Sequence, residues 1–114
     1  MRNLAVTRSG AVSTVLAGMA VFGLLFIGAG AAAADGKALY ASNACGSCHG
    51  PTGNEPIMPT YPKIAGQNKE YLIRQMNDIK SGDRDNGASI AMRGIVANLD
   101  ADAIAAIAAY LSAL

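Results

Sequence analysis

The chain has no tryptophan, only two phenylalanines (Phe22 and Phe26), one histidine and two cysteines among its 114 residues. Each scarcity excludes something. A structural zinc site takes four Cys, His or carboxylate ligands, and three soft donors packed into five consecutive positions lack the usual second pair. No basic stripe is present to neutralise phosphates, so nucleic acid is not expected as a partner. No period-2 run rich in β-branched residues occurs, which leaves no strand pattern, and there is no internal repeat.

What is present begins with a segment set apart from the rest. Arg2 and Arg8 precede an uncharged stretch from Ala11 to Ala34, with small residues at Ala32 and Ala34 and the charged Asp35 immediately after. A positive start, a short apolar centre from Val15 to Ile27 and an A-x-A end make residues 1–34 a secretory signal, removed in the mature protein. The competing reading is a retained membrane anchor, since an uncharged run of this length could also span a bilayer. Either way the remainder, residues 35–114, is placed outside the cytoplasm, and periplasmic localisation is expected.

Loss of Arg2 and Arg8 from the nine Lys plus Arg leaves seven against eight Asp plus Glu, so the mature domain is near neutral. Both phenylalanines leave with the signal, and four tyrosines remain as its only aromatics. A domain of roughly 80 residues with so few large side chains is of the size that needs a disulfide, a metal or a cofactor to complete its core.

The mature chain reads as all-α. "GKALYASNA" predicts one short helix running into the cysteines. Between Gly50 and Gln67 lie Pro51, Pro56, Pro59 and Pro62, all the prolines of the chain, which predict an extended loop held by something other than its own ladder. Asn68 is placed to cap a helix over "KEYLIRQMNDIKS", whose Leu72, Met76 and Ile79 share one face, with Gly82 just past the end. "SIAMRGIVANL" predicts one to two helical turns. Asp100 caps a terminal helix, Asp102 lies in its first turn, and Leu99 can staple onto Ile104. Its apolar stripe is Ile104, Ile107, Tyr110, Leu111 and Leu114. Three main helices plus short turns result.

The chemistry concentrates in "NACGSCHGPTGN". A redox dithiol in C-x-x-C would need a βαβ framework, for which no strands exist. A Cys45–Cys48 disulfide is the plain expectation for an exported protein, but it would close a very short loop and leave His49 without a reason. C-x-x-C-H is instead the spacing at which two thiols bond covalently to haem vinyl groups while the next residue offers its imidazole to the iron. One haem c per chain, attached through Cys45 and Cys48 with His49 as metal ligand, is therefore expected. A thioether is a common sixth ligand in electron-transfer haems, and Met58, Met76 and Met92 are available; Met76 sits on an apolar helix face and is more simply a core residue.

The ordered segments "CGSCHGPTGN", "YPKIAGQNKEYLIRQMNDIKSG", "AMRGIVANL" and "DAIAAIAAYLSAL" resemble the class I cytochromes c, most of all the small single-haem bacterial type and the halves of di-haem cytochromes c. The resemblance covers nearly all of the mature chain. It implies the class I cytochrome c fold, all-α around a covalently bound haem, with crossed terminal helices at which Gly36 and Tyr40 meet Ile107, Tyr110 and Leu111. It implies Met92 as the distal metal ligand. If the proline-rich loop runs under the proximal face, Met58 is on the wrong side, which agrees. The resemblance also implies Pro62 as the residue whose carbonyl accepts the Nδ1 hydrogen of His49, with Pro59 as the substitute. Tyr61, Gln67, Tyr71, Gln75 and Arg93 are candidate haem-propionate partners that the sequence does not rank.

Expected from all this is a periplasmic carrier of single electrons, not an enzyme, serving respiratory or dehydrogenase partners by transient docking. The membrane is involved only if the N-terminal segment is retained. The alternatives are a fixed haem subunit of a larger redox complex and, less favoured, a haem enzyme with a labile sixth ligand. Lys63, Lys69, Arg74 and Lys80 could form a docking face, but Glu70 and Asp78 are interspersed and suit an ordinary solvated helix surface.

Overall fold

The computed structural model describes residues 34–114, and the signal segment read at residues 1–34 lies outside the described residues except for Ala34. Five helices follow in order: α1 Gly36–Ser42, α2 Gly46–His49, α3 Lys69–Ser81, α4 Ser89–Val96 and α5 Ala101–Ser112. No strand occurs among the described residues, and none of their helices is by itself long and apolar enough to cross a membrane.

Side-chain caps two or three residues from their donors explain where three of the helices begin. Asp35 Oδ1 accepts from the backbone nitrogens of Lys37 and Ala38 at 3.0 and 3.2 Å, so α1 starts at Gly36. Asn68 caps α3 through the nitrogen of Tyr71 at 3.0 Å, and Asp100 caps α5 through that of Ala103 at 2.8 Å. At the other end of α3, Gly82 takes φ of +94°, the left-handed turn that ends a helix and that a residue with a side chain adopts only under strain.

The single helix expected over residues 36–44 is α1, which ends at Ser42, two residues early. Ala44 then adopts a positive φ of 57°, and the chain re-enters a one-turn helix, α2, that carries Cys48 and His49. Positive φ at a residue with a side chain is unfavourable by about 1 kcal/mol, and here it redirects the backbone between α1 and the motif. α4 is slightly over two turns, a little longer than expected.

The core is built by α1 crossing α5, with α3 packed against both α5 and α4. Tyr40, Leu72, Met76, Ile79, Val96, Leu99, Ile104, Ile107, Ala108 and Leu111 are buried together. The faces expected on α3 and α5 are those that point inward, and Leu99 and Ile104 are both in the core as a staple requires. Leu114 departs from its expected place: α5 ends at Ser112, two residues earlier, and Leu114 is exposed. Gly36 sits where the backbones of α1 and α5 meet; a Cβ there would stand 2.0 Å from the carbonyl oxygen of Ala106.

The proline-rich loop has no ladder of its own, and backbone bonds within it and to other parts of the fold hold it. Ile57 N donates to the Cys48 carbonyl at 3.1 Å, Ile64 N to that of Gly53 at 2.8 Å, and Gly66 N to that of Leu111 at 2.8 Å. The loop is thereby tied to α2 at one end and to α5 at the other.

Candidate functional site

α2 presents the motif. Its first turn closes through His49 N to the Cys45 carbonyl at 3.1 Å and Gly50 N to that of Gly46 at 3.0 Å. One helical turn therefore holds Cys45, Cys48 and His49 in fixed relation. Neither cysteine is in a disulfide, so both sulfurs remain available for a covalent bond to something else.

His49 is buried, and its Nδ1 lies 2.9 Å from the carbonyl oxygen of Pro62. A carbonyl only accepts, so Nδ1 must carry the hydrogen, and the neutral ring then keeps its lone pair on Nε2. A partner on Nδ1 that sets the tautomer and raises the basicity of the other nitrogen is the usual support of a metal-binding histidine. Pro59, the substitute for this role, is exposed and has no such contact with the ring.

Tyr40 fixes the other side of the motif. Its hydroxyl, inside the core on α1, donates to the Gly50 carbonyl at 2.7 Å, and its ring lies 5.8 Å from that of Tyr110 on α5. The phenol is pushed up to about 12 by burial, with Cys45 and Tyr110 adding to the shift. Burial also raises the Cys45 thiol above its ordinary value. Both groups are thus kept neutral at physiological pH, which suits a wall that excludes water.

These residues open onto a largely apolar cavity of about 480 Å³, within the 300–1,000 Å³ range of sites that enclose a sizeable organic ligand. Cys45, Cys48, His49, Pro62 and Met92 all line it. Met58 does not line it and is 46% exposed, whereas Met76 does line it and is only 6% exposed, as a core residue would be. Met92 approaches from α4, together with Ser89 and Val96 on the same helix face.

The polar lining differs in part from expectation. Tyr61, Gln67, Tyr71 and Gln75 are present, but Arg93 is not, because its Nε is turned away to the Ile79 carbonyl at 3.2 Å. Arg84 takes the place of a guanidinium in the wall and donates to Gln75 Oε1. Set between Asp83 and Asp85 in a segment without periodicity, it carries no signal that separates it from a solvated loop charge. Ser89, buried in the same wall, was equally unmarked. Among the docking candidates Lys80 is engaged, donating to the Leu99 carbonyl.

Two thiols, one imidazole with a free Nε2 and a thioether, all facing one apolar cavity, fit a covalently tethered haem. Among the described residues no three His, Cys, Asp or Glu side chains are arranged to hold a bare metal ion.

Comparisons with known proteins agree. Residues 33–114 match the model of the cytochrome c family. Cytochrome c4 of Pseudomonas aeruginosa is 40% identical over 99 residues, covering 87% of this chain and 45% of the relative. A protein of Stutzerimonas stutzeri described as a thiosulfate dehydrogenase electron acceptor is 34% identical over 106 residues, covering 87% of this chain and 46% of its own length. The crystal structure of reduced recombinant cytochrome c4 from Pseudomonas stutzeri superposes with a TM-score of 0.62 at 31% identity, covering 72% of this chain and 47% of that one. The chain spans about half the length of these relatives.

Proposed function

This chain belongs to the cytochrome c family, and from that premise we propose that it is an exported carrier of single electrons whose haem iron is held between His49 and Met92. The family carries haem c bound covalently, and Cys45 and Cys48 are the two cysteines of the C-x-x-C-H motif that this attachment uses. When bound, haem supplies an iron that alternates between ferric and ferrous states at a potential set by its ligands and surroundings.

The observation that carries the proposal is the contact of 2.9 Å between His49 Nδ1 and the Pro62 carbonyl, in a buried ring that shares its cavity with both cysteines and Met92. The chain's own residues then have separate tasks. Cys45 and Cys48 would tether the group, the Pro62 carbonyl fixes the hydrogen of His49 on Nδ1 and leaves Nε2 as the ligating atom, and Met92 would supply a soft ligand from α4. Leu72, Ile79, Val96 and Leu111 exclude water. Arg84, paired with Gln75, is a cation in the cavity wall placed to neutralise a propionate.

In this reading His49 and Met92 would both hold the iron, which suits outer-sphere electron transfer rather than substrate binding at iron. Residues 1–34 direct export, and maturation leaves Asp35 first. The partners are redox proteins met transiently, and a dehydrogenase donor is one class, as the name of the Stutzerimonas stutzeri relative suggests.

The test is spectroscopic titration of the purified holoprotein. A low-spin ferric form with a methionine–iron charge-transfer band in the near infrared, and a one-electron reduction curve, are expected. A high-spin ferric form would overturn the carrier reading. Mass measurement of the exported protein checks the cleavage before Asp35.

A further inference from the structure

We infer that Arg93 and Lys80 are positioning residues for Met92, two cations that tie its segment to the end of α3 and so fix where the thioether stands. The inference rests on the reading of Met92 as axial ligand and adds what holds that ligand in place.

α4 cannot hold Met92 unaided. It has eight residues and no side-chain cap at its start, and helices this short are marginal in isolation. Its inward face, Ser89, Met92 and Val96, borders the cavity, and of the three only Val96 belongs to the buried hydrophobic core, with Met92 partly buried against it. Its placement must come from outside the helix.

Arg93, the residue after Met92, supplies one tie. Its Nε donates to the Ile79 carbonyl at 3.2 Å. Ile79 lies in the last turn of α3, where carbonyls have lost their intrahelical donors, and the nitrogens of Gly82 and Arg84 both go to the neighbouring Asp78 carbonyl instead. The guanidinium therefore completes the cap of α3, at the helix end where a positive charge is favoured. Gly82 leaves room for it: a Cβ there would stand 2.9 Å from a terminal guanidinium nitrogen.

Lys80 supplies the second tie. Its Nζ donates to the carbonyl of Leu99, a buried residue between α4 and α5. The end of α3 thus grips the Met92 segment at its middle through Arg93 and at its exit through Leu99. Both bonds pair a charged donor with a neutral carbonyl, the stronger kind of protein hydrogen bond. Without them the thioether would spend less time in register, and an external ligand would compete by the corresponding factor.

Imidazole is the probe, because it binds the iron only as the iron–sulfur bond breaks and an iron–nitrogen bond forms. In the ferric holoprotein Arg93→Gln is expected to bind imidazole about tenfold more tightly, followed by loss of the near-infrared band. Lys80→Gln should shift in the same direction, Arg93→Lys should recover part of the change, and Arg74→Gln, on the exposed face of α3, should match the parent. If haem-loaded Arg93→Gln binds imidazole like the parent, the inference is overturned. Should that variant fail to load haem, Lys80→Gln decides on the same criterion. Met92→Ala separates the two levels: a band that survives it overturns the ligand reading itself, whereas a band lost there with unchanged imidazole affinity in the tie variants overturns only the positioning role.

Discussion

The Pro62 carbonyl oxygen lies 2.9 Å from Nδ1 of His49 across a loop that contains every proline of the chain. The contact is made by backbone, so the proline ring is needed only to stiffen the approach. Pro62→Ala should keep the hydrogen bond and the low-spin spectrum while lowering stability by about 0.4–1 kcal/mol, through greater freedom of the unfolded chain. Urea unfolding of the holoprotein measures the change, and a high-spin spectrum in this variant would show that the ring itself orients the imidazole.

The three methionines of the described residues should behave differently when truncated. Met92→Ala is expected to abolish the near-infrared methionine–iron band. Met58→Ala, at an exposed loop position, should leave both band and stability unchanged. Met76→Ala should retain the band but lose about 2–5 kcal/mol of stability, as buried side chains do when a cavity replaces them. A band lost with Met58 and kept with Met92 would reverse the assignment.

Gly36→Ala tests the crossing of the terminal helices. The added methyl would meet backbone, the Ala106 carbonyl at 2.0 Å, rather than the movable end of a side chain. Overpacking typically removes about 1–3 kcal/mol, and backbone contact puts this variant at the upper end or beyond. Thermal unfolding provides the measure, and an unshifted midpoint would mean that α1 and α5 can separate without penalty.

Tyr40 links stability to alkaline pH. In the unfolded chain its phenol ionises near the ordinary value of 10.0, while in the fold it keeps its proton to about 12. Between those two values the folded state binds more protons, so stability is fully present below 10.0 and declines as pH rises toward 12. Tyr40→Phe should lose that decline, and at neutral pH it should be less stable by about 1–2 kcal/mol because the Gly50 carbonyl is left without its donor. Unfolding curves at neutral and alkaline pH distinguish the two effects.

Much of the molecule was legible before folding. Asn68 and Asp100 each satisfy a helix start with an oxygen three residues from its donor, a signal that needs no distant partner. The faces of α3 and α5 followed from spacing alone. The break at Ala44 was not legible, since nothing in "ASNACG" marks a residue for positive φ; it is imposed by bringing α2 across the end of α1, where Tyr40 holds Gly50.

The site divides along the same line. By itself the sequence determined the tethering chemistry, because Cys45, Cys48 and His49 fall within one helical turn and their relation is local. It also limited the candidates for a sixth ligand to a few thioethers, among which the resemblance to class I cytochromes c implied Met92. Only the tertiary structure decided that Met92 and not Met58 borders the cavity, that Pro62 and not Pro59 meets the imidazole, and that Arg84 lines the wall while Arg93 caps α3. Each of those outcomes depends on where a loop or short helix is pinned by residues far along the chain, as Gly66 is by Leu111 and Leu99 by Lys80. Periodicity and capping report bonds within a few residues, and they carry no information about which distant carbonyl a loop will find.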